Sequence, residues 1–158
     1  MHFLERISPR KGKLIRRNLT FGKEYFVKLK LVPKSFISGW SNVLVIRDDA
    51  DDRIASIWFQ PGRDKETEWP MYIYSDVHGN GRHYFGTPAY PVGKMIDIMI
   101  EQVKEGSTYF FQVKINQQLI RREQNNVPRI KESMRMYVSN PRNEPQPGYI
   151  YDLEYSAV

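Results

Sequence analysis

The chain has 158 residues, no cysteine, 13% aromatic side chains and a formal net charge of +6. A chain of this length buries roughly 70% of the surface that its unfolded form exposes, so one core suffices and residues 1–158 read as a single domain. The missing cysteines exclude disulfides, thiolate nucleophiles and zinc–thiolate centres, and no apolar run approaches the roughly 18 residues that a membrane-spanning helix needs.

The charge is uneven. Residues 1–34 hold ten Lys or Arg against Glu5 and Glu24, and the rest of the chain has fourteen basic and sixteen acidic residues. The opening MHFLERISPRKGKLIRR has no apolar stretch and does not read as a signal peptide. Residues 1–12 read as a basic arm. Arg6, Arg10, Lys11, Lys13, Arg16 and Arg17 are either a solvated surface or a contact for an anionic partner such as a sulfated polysaccharide.

Alternating apolar residues of the Val, Ile, Phe and Tyr type, closed by Gly, Pro, Asn or Asp, predict strands from end to end. They fall at 13–20, at Tyr25, Val27, Leu29 and Leu31, at 43–47, 54–60 and 71–75, and at Ile96, Ile98 and Ile100. STYFFQVKINQQLIRRE then predicts a hairpin, with Tyr109, Phe111, Val113 and Ile115 on one face and a polar turn at Asn116 to Gln118. Runs at 134–139 and 149–155 close the series. Two stretches read as loops, HGNGRHYFGTPAYPVG at 78–93 and SNPRNEPQPG at 139–148. Roughly ten strands with turn-rich joints predict an all-β fold, a two-sheet antiparallel β-sandwich or jelly roll.

Catalytic arrangements find little support. Asp97 and Glu101 share a strand face, but four residues put them about 13–14 Å apart, beyond the roughly 5–9.5 Å of a glycosidase pair, and Met99 lies between. There is no G-x-S-x-G elbow, and the five-residue spacing of His78 and His83 is not a strong zinc spacing. The chain reads as a non-enzyme.

RDDADDR sets Asp48, Asp49, Asp51 and Asp52 between Arg47 and Arg53. Four negative charges in one turn repel unless something answers them. A solvated loop, a calcium ion held by these carboxylates, and intramolecular pairing are the three readings. Sugar binding asks for an aromatic face with planar donors and acceptors around it. Trp69, Tyr72, Tyr74, His78, Asn80, Arg82, His83 and Tyr84 lie together in the sequence and fit that need, unless Tyr72 or Tyr74 packs in the core.

GWSNVLVIRDD at 39–49, DRIASIWFQPG at 52–62, FFQVKINQQ at 110–118, NNVPRIKESMRMYVSNP and the closing PGYIYDL cover most of the length from Gly12 onward. In that order they resemble a concanavalin A-like lectin domain of invertebrate extracellular proteins. The resemblance implies two antiparallel sheets, an extracellular setting, and recognition of a glycan or protein ligand; a glycan or glycoprotein partner and a place in cell adhesion are the expectations drawn from it. It carries over no residue set. The E-x-D-x-x-E strand of glucanases and the H-x-N-x-R strand of galectins are both missing. Asn18-Leu19-Thr20 is an N-glycosylation triplet consistent with that setting. The expectation is a non-catalytic, carbohydrate-binding domain, with calcium at Asp48, Asp49, Asp51 and Asp52 as an optional aid. The rival is a protein-interaction or self-assembly module that forms a homo-oligomer.

Overall fold

A computed structural model describes residues 2–3, 6–35, 37, 39–60, 67–79 and 83–157. Its strands are β1 (His2–Phe3), β2 (Leu14–Phe21), β3 (Tyr25–Pro33), β4 (Ser41–Arg47), β5 (Arg53–Phe59), β6 (Glu68–Ser75), β7 (His83–Pro91), β8 (Ile96–Glu105), β9 (Thr108–Ile115), β10 (Gln118–Asn125), β11 (Lys131–Tyr137), β12 (Glu144–Pro145) and β13 (Gly148–Tyr155). One 3-10 turn, Val77–Gly79, follows β6. Among the described residues no helix is long and apolar enough to cross a membrane.

The strands form two sheets. One runs β1-β13-β3-β8-β9-β10, and the other β2-β11-β4-β5-β6-β7 with β12 added beside β4. Pairing is antiparallel throughout except between β12 and β4. The core lies between the layers. From the first sheet come Val27, Leu29, Leu31, Ile98, Ile100, Phe111, Val113 and Ile150, and from the second Leu44, Ile46, Ile57, Met71, Ile73, Met134 and Met136. Strict alternation on β3 and β8 is what the period of two demands of a strand with one wet face.

The hairpin between β9 and β10 forms where the polar turn was expected. Asn116 and Gln117 both take positive φ, 51° and 67°, the backbone of a tight two-residue hairpin turn. Residues 83–91 depart from expectation. The Gly- and Pro-rich stretch read as a loop is strand β7, paired with β6 from Glu68↔Pro91 to Ser75↔His83. The reason is position. β7 is an edge strand, and Pro88 and Pro91 can sit there because an edge has a side on which no ladder hydrogen bond is required.

Strands β4 and β5 are buried almost residue by residue, with no alternation. A sheet facing water on one side does not do this, so something covers its outer surface.

Candidate functional site

The cover is aromatic. Trp58 of β5 faces away from the sandwich core and, with Val45 and Tyr137, forms a second buried cluster against which Leu14, Tyr72 and Tyr74 pack. Register builds it: Trp58 lies opposite Tyr72, and Tyr74 opposite Tyr84, on successive strands β5, β6 and β7. Ring centres are 6.2 Å apart for Trp58 and Tyr74, 5.9 Å for Tyr72 and Tyr84, and 5.3 Å for Tyr74 and Tyr84. Trp40, just before β4, leans edge-on over Trp58 at 6.4 Å and Tyr72 at 5.5 Å. Trp58 is only 4% exposed beneath these rings, whereas Trp40 at 39% and Tyr84 at 54% meet solvent. Opposite Tyr72 stands Gly86, and the β7 side chain that packs on Tyr72 is that of Tyr84.

Polar groups frame the rings. The Tyr72 hydroxyl donates to Gln60 Oε1 at 2.7 Å. The Arg53 guanidinium lies 5.1 Å from the Trp58 ring centre and 4.9 Å from that of Tyr74, and Arg47 lies 5.5 Å from the Tyr137 ring. Burial raises the Tyr74 phenol above its ordinary range, although the Arg53 charge pulls the other way, so the hydroxyl stays protonated at neutral pH.

The acidic turn between β4 and β5 anchors this frame. Asp51 receives two hydrogen bonds from Arg53, at 3.2 and 3.1 Å, and stands 3.7 Å from Arg47. Asp49 pairs with Arg135 at 2.8 Å and Asp52 with Arg129 at 3.9 Å. Asp48 Oδ1 accepts the Asp52 amide at 3.0 Å. Four arginines thus answer the run of carboxylates, of which only Arg47 and Arg53 flank it in sequence. Among the described residues no group of three or more His, Asp or Glu side chains is arranged to hold a metal ion.

The expected sugar-site residues do not stay together. Tyr72 and Tyr84 join the aromatic face, whereas Trp69 is 4% exposed in the main core, edge-on to Phe59 at 5.8 Å, where no ligand can reach it. Asn80 and Arg82 lie outside the described residues. His78 and His83 meet Glu123 of β10 instead, at 3.9 and 3.2 Å, with Arg121 at 3.3 Å from the same carboxylate. Burial would raise the Glu123 carboxyl, but the His83 hydrogen bond and the charges of His83 and Arg121 together hold it below its ordinary value. Nearby, Asp76 and Lys131 form a buried ion pair at 3.4 Å, with side chains 1% and 6% exposed. Burial raises the Asp76 carboxyl, while Lys131 and then Arg129 oppose the shift.

Trp40, Trp58, Arg53 and Gln60 were not among the expected site residues. Trp58 could have been found by parity, because in DRIASIWFQ it alternates with Ile57 and Phe59 and so lies off their face. Glu101, half of the carboxylate pair considered for catalysis, accepts from Gln112 at 2.6 Å and pairs with Lys114 at 3.4 Å.

No family model matches the sequence, and no curated protein matches it. Solved structures do. The native heptameric SAP-like pentraxin from Limulus polyphemus superposes with a TM-score of 0.61 at 11% identity, over 95% of this chain and 74% of that one. The alginate lyase from Alteromonas sp.272 gives 0.57 at 8% identity, over 96% and 82%. The Ruminococcus gnavus IT-sialidase CBM40, bound to alpha2,3 sialyllactose, gives 0.52 at 12% identity, over 92% and 89%. Such low identities speak for the fold alone, and that fold is the concanavalin A-like jelly roll.

Proposed function

We propose that the chain binds carbohydrate, without catalysing its cleavage, on the outer face of the sheet that carries β4 to β7. One observation carries the reading: several packed rings cover that face, and two of them, Trp40 and Tyr84, stay substantially exposed. Sugar rings stack their C–H faces on such surfaces, and Trp and Tyr supply area at little conformational cost. Gln60 and the guanidinium N–H groups of Arg53 not engaged by Asp51 offer fixed hydrogen-bonding partners at the rim. A fold shared with a sialyllactose-bound module supports the reading.

The site works without calcium in this reading, since each aspartate of the β4–β5 turn already has a cationic or backbone partner. We place the protein outside the cell, in keeping with Asn18 of the glycosylation triplet, which is exposed on β2. A glycan array run with and without chelator tests this. Bound glycans that persist in chelator are expected. An array blank under both conditions overturns the sugar reading, and loss of binding in chelator overturns metal independence.

A further inference from the structure

The outer face of the other sheet carries a second arrangement, built from different residues. Along β3, Val27, Leu29 and Leu31 are buried, so Lys28, Lys30 and Val32 point outward, and Lys34 follows just past the strand end. Beside it on β13, Ile150 is buried and its neighbours Tyr149 and Tyr151 face out, their rings 6.3 Å apart. Register sets Tyr149 against Val32 and Tyr151 against Lys30.

Two cations crowd one ring. Lys34 Nζ donates to the Tyr149 hydroxyl at 2.8 Å and lies 4.2 Å from the ring centre, and the Arg6 guanidinium carbon lies 4.1 Å from the same centre. Lys30 is answered by Asp152 at 3.3 Å. Lys28 lies opposite Glu154 in register, whereas Arg6 and Lys34 form no ion pair with a carboxylate of the described residues. The phenol registers the excess. The hydrogen bond from Lys34, then the charges of Lys34 and Arg6, hold the Tyr149 hydroxyl below its ordinary range.

Cations held close together without a counter-charge form a site where an anion gains energy from each of them. From Lys28 to Lys34 the stripe spans about 20 Å, taking roughly 3.3 Å per residue. Glu154 lies beside Lys28, whereas Tyr149 and Tyr151 lie toward the Lys34 end, so the cations without an ion-pair partner and the tyrosine faces sit together there. That suits a polymer that carries an anionic group next to a sugar ring. A duplex nucleic acid carries one charge per roughly 1.7 Å, far denser than this stripe. A bilayer asks for an apolar anchor, and the large exposed hydrophobics among the described residues, Trp40, Tyr84, Met95, Leu119, Val127 and Ile130, lie on neither β3 nor β13.

We infer that Arg6, Lys34 and Tyr149 form a clamp for a sulfo group, through which the chain holds a sulfated polysaccharide on the outer face of this sheet. The guanidinium and ammonium donate charge-assisted hydrogen bonds to the sulfo oxygens, and a neighbouring sugar packs on Tyr151. Of the basic residues near the N-terminus, this uses Arg6 alone; Lys11 is paired with Glu144.

Calorimetry of the intact chain with size-defined, heparin-derived oligosaccharides over a sodium chloride series tests the clamp. Affinity is expected to fall steeply with salt and to vanish for the chemically desulfated oligosaccharide. Replacing Arg6→Ala together with Lys34→Ala should cost at least about tenfold in affinity, whereas Arg10→Ala with Lys13→Ala should leave it unchanged. The Tyr149 phenol, read by ultraviolet titration as the difference from Tyr149→Phe, should move up toward its ordinary range when the oligosaccharide binds. Several results would overturn the clamp: no binding at low salt, equal binding of the desulfated chain, the reverse ranking of the two double variants, an unmoved Tyr149 titration, or capture by anionic phosphatidylserine vesicles but not by the oligosaccharide.

Discussion

Tyr84 touches two other rings and still leaves more than half its surface in solvent, a combination with no packing purpose of its own. Its removal separates binding from stability. Tyr84→Ala should weaken glycan affinity by about tenfold, the equivalent of about 1.4 kcal/mol, while its midpoint in urea stays close to that of the parent chain. A matching loss of stability would make the ring structural. The buried pair behaves in the opposite way. Asp76→Asn leaves the Lys131 charge buried without its partner, which costs about 3–5 kcal/mol and lowers the melting temperature by about 10 °C in a chain of this size. Joint replacement by Asp76→Leu and Lys131→Met should recover most of that loss, and a double variant as unstable as the single one would refute the pair's role. At this scale the sequence was readable by parity and not by proximity. Tyr72 and Tyr74 lie off the face of Met71 and Ile73, and they reach the outer surface; Trp69 shares the parity of those two core residues and is buried with them. Proximity in the chain had grouped all of them with His78 and His83, which turn instead to Glu123 on the other sheet.

Strand β13 lies between β1 and β3, and one residue limits how closely it can approach β3. At Gly148, with φ of 148°, an added Cβ would sit 2.3 Å from the Val32 carbonyl oxygen. Gly148→Ala must therefore push β13 off β3 or distort the backbone, at a cost of about 1–3 kcal/mol. Amide hydrogen exchange should show the damage first on β13 and its partner, and protection equal to the parent's would contradict it. The elements most legible from sequence were those with one wet face, β3 and β8, where alternation is undisturbed. Strand β7 was hidden because its glycine and prolines carry a loop composition, which only an edge position tolerates. Loop 139–148 hid its hydrogen bonding in the same way. Asn140 Oδ1 accepts from Asn42 and from the amides of Arg142 and Asn143, and Ser41 donates to Gln146 at 2.6 Å; the bonds from Asn42 and Ser41 exist only because β4 lies alongside.

The two layers are joined across one margin by His83 of β7 and Glu123 of β10. Because this carboxyl titrates below its usual value in the folded chain, its stabilising effect is complete above pH 4.5, the ordinary value, and is lost as the pH falls through the lower folded one. Glu123→Gln removes that dependence. Unfolding followed from neutral to acid pH should therefore fall less steeply for the variant than for the parent, and parallel curves would dismiss the tie. The layered architecture as a whole followed from alternation and turn chemistry, which are local properties. The arginines that balance the acidic turn did not. Arg129 and Arg135 arrive from β11 and the segment before it, more than seventy positions away in the sequence, and only the folded topology brings them there.

The three tryptophans are distributed so that the molecule carries its own optical reporter. Trp40 stands partly in solvent over Trp58, close enough for excitation to pass between their indoles, while Trp69 is sealed between the layers. A sugar settling on Trp40 would dry its ring and shift its emission to shorter wavelength, with Trp69 contributing a constant background. Saturable blue-shifted fluorescence on adding a glycan would then report occupancy of the aromatic face without any label, and an oligosaccharide held on the opposite sheet would leave the spectrum as it was.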